Sequence, residues 1–104
     1  MLTLDHFLFP KEILIDESGW SDLLLGVVIG ALKPPDQRYM ERRISTSSFQ
    51  PPNFKNKKYL EDAVKIADEI IDVMRPDEKT HFRVCSGYVL SSVRRHLQNR
   101  GFRV

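Results

Sequence analysis

Two adjacent carboxylates, Asp16 and Glu17, close a short apolar run in "EILIDESGW" (residues 12–20). Acids at the end of a strand can hold a hard divalent cation, which takes oxygen ligands, or they can be hydrogen-bonded within a polar turn. Strand neighbours point to opposite faces, so the two reach one site only where the strand bends, as Gly19 would allow. Asp16 shares a face with Leu14, at the margin of a buried face. A carboxylate there needs a metal, an arginine or backbone N–H groups, because burying it unpaired is costly.

Other residue types offer further chemistry. Glu61, in the first turn of the helix described below, is a third candidate carboxylate. With Asp68 and Asp72 it lies on one flank of that helix, which reads equally as a solvated face. His6, His81 and His96 have no zinc spacing, and a single cysteine, Cys85, excludes an internal disulfide and a cysteine-rich metal site. Arg38, Arg42, Arg43, Lys55, Lys57 and Lys58 flank the loop 47–54, which carries Phe49 and Phe54. Cations interleaved with aromatic rings suit a phosphate backbone with stacked bases. Arg94 and Arg95 would extend that surface, and Trp20, in the turn after the acids, is a stacking or interface candidate. Packing and solvation are the competing reading for each of these.

The elements that must position these groups follow from periodicity and breakers. Residues 12–16 form a continuous apolar strand, expected to be covered on both faces. Residues 17–22 are a turn. Residues 23–32, with Val27, Val28 and Ile29, form a second strand, and "KPPDQ" (33–37) breaks the chain. Residues 39–46 form a third, partly exposed strand. Leu60, Ala63, Val64, Ala67, Ile70, Ile71 and Met74 make one stripe of a helix over about 56–74, with Asn56 as N-cap and Pro76 as its stop. A fourth strand covers 81–85. A second helix covers about 88–99, with Val89, Val93 and Leu97 as its apolar line and Gly101 past its end. Residues 102–104 begin a fifth strand. The order is β β β α β α β, an α/β five-stranded mixed sheet with two helices.

The 104 residues suit a single domain, with residues 1–11 as an N-terminal extension, and 41% hydrophobic content allows a small core. No stretch approaches the roughly 18 apolar residues a membrane span requires. "MLTLDHFLFP" has no basic start and reads poorly as a signal peptide. The expectation is a cytoplasmic protein with no membrane partner. Charge is sorted along the chain. Residues 1–32 hold one lysine against five acids, 33–58 seven bases against two acids, 60–78 two bases against seven acids, and 79–104 six bases and no acid. An acidic locus beside basic surfaces suits a nucleic-acid partner, and differing solvated faces are the alternative.

The element order, with an acid near the end of the first strand, resembles the ribonuclease H-like superfamily. "ILIDESG" (13–19) is similar to the first strand of type 2 ribonucleases H and to uncharacterised relatives that open with the same Ile-Asp-Glu-Ser-Gly string. "LLLGVVIGAL" (23–32) and "VCSGYVLSSVRRHL" (84–97) have the shape of their second strand and of their fourth strand running into a helix. The resemblance implies a metal-dependent nuclease, hydrolysing phosphodiesters with Mg²⁺ or Mn²⁺ held by Asp16 and Glu17. Glu61 is the further catalytic acid, as in type 1 enzymes. The pattern departs at the fourth strand, where an aspartate is expected and Cys85 or Ser86 stands. That departure keeps a second reading open: a catalytically inactive ribonuclease H-like binding or assembly module, acting as a homodimer.

Overall fold

The computed structural model describes residues 11–18 and 26–104. Strand β1 is Glu12–Ser18, β2 Val27–Lys33 and β3 Arg38–Ile44. Helix α1 spans Lys58–Met74, β4 His81–Val84 and α2 Ser91–Asn99. The protein is α/β, with a four-stranded mixed sheet in the order β3-β2-β1-β4 and two helices. β1 and β2 run antiparallel with Leu14 opposite Leu32 and Asp16 opposite Gly30. β2 and β3 are antiparallel, and β1 and β4 parallel.

Alternation along each strand selects one face for the core. Ile13, Ile15, Val27, Ile29, Ala31, Met40, Ile44 and Phe82 are buried in one cluster with Ala63, Ile66, Ala67, Ile70 and Met74 of α1 and Val93 and Leu97 of α2. The helical stripe is therefore wider than its sequence reading, since Tyr59 and Ile66 also enter the core. The opposite sheet face carries Leu14, Asp16, Val28, Gly30, Leu32 and Tyr39 and is partly or wholly exposed. Cover on both faces of β1, expected from its apolar run, is not found among the described residues: Leu14 is only half-buried while Ile13 and Ile15 are sealed.

Several boundaries shift for identifiable reasons. The expected fifth strand reduces to one parallel bridge, His81 to Arg103, with the Phe82 N–H donating to the Arg103 carbonyl at 2.8 Å. Phe102 turns in instead and packs edge-on against Phe82, centroids 5.2 Å apart. Asn56 is not the N-cap of α1. Lys57 holds that place in the left-handed region (φ 58°), and loop carbonyls serve the first-turn donors, Asn53 to Lys58 at 3.0 Å and Lys57 to Leu60 at 3.0 Å. The segment 88–90 is a 3-10 turn preceding α2. Gly101, with φ +90°, ends α2 as expected: its N–H bonds Gln98, and Phe102 N–H bonds Leu97. The expected turn 17–22 starts later, because Glu17 and Ser18 pair with Ile29 and Val28 as part of β1; the rest of that turn, with Trp20, the start of the expected second strand at 23–25 and residues 1–10 of the extension lie outside the described residues.

The far end of α1 is closed by strand cations. Lys33 Nζ donates to the Met74 carbonyl at 2.9 Å and pairs with Asp36 at 2.9 Å, and Arg38 donates to the Val73 carbonyl at 3.0 Å. Positive charge at a helix C-terminus meets both the orphan carbonyls and the dipole. Lys33→Ala is expected to cost about 1 kcal/mol, a fall of about 4–8 °C in Tm by thermal denaturation.

Candidate functional site

Chain direction brings four element ends together at one edge of the sheet: the ends of β1, β3 and β4, and the start of β2. α1 begins at that same edge, since Tyr59 in its first turn meets Tyr88, which follows Gly87 beside the β1 acids.

Asp16 points to the open face and is exposed, and its Oδ1 accepts the Glu17 N–H at 2.7 Å. Glu17 continues the Ile13–Ile15 row past the core's edge. Its carboxyl lies against the Gly87 backbone so closely that a Cβ on Gly87 would sit 2.6 Å from Oε2. That oxygen is buried with no hydrogen-bond partner among the described residues. Burial and the neighbouring Asp16 charge hold the Glu17 pKa above its ordinary value, only partly offset by a backbone N–H and the Arg94 guanidinium. The strand alternation separates the two acids by face, yet their charges still meet across the strand end.

Cys85 follows β4 and stands beside Asp16. Its N–H donates to the Ile15 carbonyl at 3.0 Å. The Asp16 carboxylate beside it, then burial and the Glu17 charge, raise its thiol pKa, so the thiol stays neutral. Arg94 reaches back from α2 to the Cys85 carbonyl at 2.6 Å. A shallow depression of about 830 Å³ runs from here over the open sheet face, past Leu14, Gly30, Tyr39 and Arg83. Tyr39 lies across Gly30, where a Cβ would meet its hydroxyl at 3.0 Å.

Glu61 does not join this group. It is exposed in the first turn of α1 and pairs with Lys58 at 3.5 Å. Among the described residues no three His, Cys, Asp or Glu side chains are close enough together to hold a metal ion. As a donor set, two carboxylates suit one hard cation completed by water, since Mg²⁺ is often bound through one or two carboxylates, and the strand places these two on opposite faces. They do not fit a pair of cations.

The basic residues divide. Arg38 and Arg42 project on the helix side of β3, Arg38 closing α1 and Arg42 pairing with Glu69 at 2.8 Å. Arg43 projects from the other face, opposite Val28. Lys58 is engaged by Glu61 and Asp62. Lys55 and Arg95 are exposed, and Lys57 lies over the Tyr88 ring, 5.9 Å from its centroid. The expected single basic surface over 38–58 is therefore split, because consecutive strand residues alternate faces and α1 recruits those on its side. Asp68 clamps the helices rather than lining a site, accepting from Arg100 at 3.0 Å and meeting His96 Nε2 at 2.7 Å. Gly87 and Tyr88, which the sequence places only at the opening of the second helix, stand at this site. The "SG" before an apolar helix line was their only signal.

No protein-family model, curated protein or solved structure matches the chain. Among the described residues no helix is long and apolar enough to cross a membrane.

Proposed function

We propose that the chain is a ribonuclease H-like nucleic-acid-binding domain that takes one Mg²⁺ or Mn²⁺ at Asp16 and Glu17 and hydrolyses phosphodiesters. The observation that carries this reading is the Glu17 carboxylate. It is packed on Gly87 and repelled by Asp16, with one oxygen buried and unpartnered among the described residues. Such a placement opposes folding and suits a group that a cation completes. The sheet order, with β1 parallel to β4 and Arg103 bridging β4, supports the fold assignment.

When bound, the cation would supply Lewis-acid polarisation of a phosphoryl group. The chain's own residues do the rest: Asp16 and Glu17 hold charge, the neutral Cys85 thiol stands beside Asp16, and Arg94 stands ready for a phosphate oxygen. A cytoplasmic location belongs to the same proposal. Cys85 supports the second reading, a binding or homo-oligomeric assembly module without cleavage, since a neutral thiol is a poor substitute for a hard oxygen ligand.

The test titrates Mn²⁺ and Mg²⁺ against cleavage of labelled DNA, RNA and RNA–DNA hybrid. Asp16→Asn is expected to reduce metal-dependent cleavage to background. Equal cleavage by the variant would remove Asp16 from the site. Salt-sensitive binding without cleavage by the wild type would favour the module.

A further inference from the structure

Beside the carboxylates lies an aromatic cluster that the metal site does not use. Tyr59, 4% exposed, is its centre. Phe49 and Phe54 stack on it with centroids 5.4 and 5.5 Å away, and Tyr88 tilts against it at 6.3 Å. The outer rings are not sealed: Phe54 is 40% and Tyr88 48% exposed. Scattered exposed rings are ordinary on a protein surface. These two share one buried anchor, and Tyr88 directly follows the glycine that supports Glu17.

The cluster is held rigidly. Phe54 N–H bonds the Gln50 carbonyl at 3.0 Å, Asn53 Nδ2 bonds the Ser47 carbonyl at 3.0 Å, and Lys57 N–H bonds the Phe54 carbonyl at 3.0 Å. Lys57, with a left-handed backbone, carries its ammonium over the Tyr88 ring. Lys55 is exposed in the same loop. Preformed rings with cations alongside match a base with its phosphate, and the positive loop complements a polyanion.

We infer that Phe54 and Tyr88 form a base-stacking platform for single-stranded nucleic acid, with Lys57 holding an adjacent phosphate, at the mouth of the Asp16–Glu17 site. The inference rests on the nucleic-acid reading above and narrows its substrate to strands with unpaired bases. A duplex keeps its base faces stacked internally and offers this platform only phosphates.

The full chain is mixed, in chelator, with fluorescein-labelled pyrimidine DNA and RNA strands of roughly 12 nucleotides and with the matching duplexes, and anisotropy is followed. Single strands are expected to bind more tightly than duplexes. Tyr88→Ala weakens single-strand binding about 5- to 100-fold, while Tyr88→Phe, which keeps the ring, stays close to wild type. Lys57→Gly, which suits the left-handed backbone, lowers the salt slope by about 0.7. Equal affinity for duplex, no effect of Tyr88→Ala, or absence of strand binding would each overturn the platform. So would self-association that shields Tyr88 and leaves oligonucleotides unbound. The metal-free format separates the two proposals. Strand binding in chelator, with no cleavage once Mn²⁺ is added, sinks the nuclease and keeps the platform. Mn²⁺-dependent duplex cleavage insensitive to Tyr88→Ala does the reverse.

Discussion

Glu17→Gln is expected to raise stability while abolishing the response to Mn²⁺. The wild-type carboxylate is partly buried, pressed on Gly87 and repelled by Asp16. Removing its charge relieves both terms. The expected gain is about 1 kcal/mol, or about 4–8 °C in Tm, at neutral pH in chelator. The pH dependence has a definite sign. Below the ordinary carboxylate value of 4.5, Glu17 is protonated in folded and unfolded chains alike and carries no penalty. As pH rises past that value the unfolded chain releases the proton first. Folded stability then falls until pH passes the raised native value. The variant lacks this segment, so the two stability curves separate with rising pH. Saturating Mn²⁺ at about 100 times Kd would stabilise the wild type by about 2.7 kcal/mol and leave the variant unchanged. An equally stable variant would remove the strain argument, and a variant with an intact Mn²⁺ shift would remove Glu17 from the cation site.

Phe82→Ala is expected to cost about 3–5 kcal/mol, measured by urea denaturation. Phe82 is wholly buried in β4, on the same face as Ile13 beside it, and meets Phe102 edge-on. Truncation opens a cavity where the sheet joins the segment after α2. In a domain whose total stability is about 5–15 kcal/mol, that loss leaves a substantial unfolded population. Val84→Ala, in the same strand but half-buried, should cost less. A cost for Phe82→Ala no larger than that of Val84→Ala would show that the Phe82 ring leaves no cavity behind.

Much of the fold was legible because its signals are local. Ile13-Leu14-Ile15 and Val27-Val28-Ile29 declare strands, the stripe from Leu60 to Met74 declares a helix, and Pro76 and Gly101 declare ends. Tyr59 lies outside the stripe because its ring serves a loop cluster as well as the helix, and Asn56 is not the cap because the Asn53 and Lys57 carbonyls take first-turn N–H groups. The basic segment failed as one surface for a nonlocal reason. Arg42 and Arg43 are adjacent in sequence but face opposite sides, and the packing of α1 decides which finds Glu69.

The candidate site divides in the same way. That Asp16 and Glu17 end a strand, and that no carboxylate stands at Cys85, is determined by the sequence alone, since strand ends follow from local apolar runs and residue identity needs no fold. That Glu17 is pressed against Gly87, that Cys85 comes beside Asp16, and that Tyr88 and Phe54 join one ring cluster with Tyr59 was decided only by the tertiary structure. The first two contacts join β1 to residues about 70 positions later, and the join depends on the parallel register of β1 with β4. Side-chain periodicity reports which face a residue takes, but not which distant backbone will lie against it.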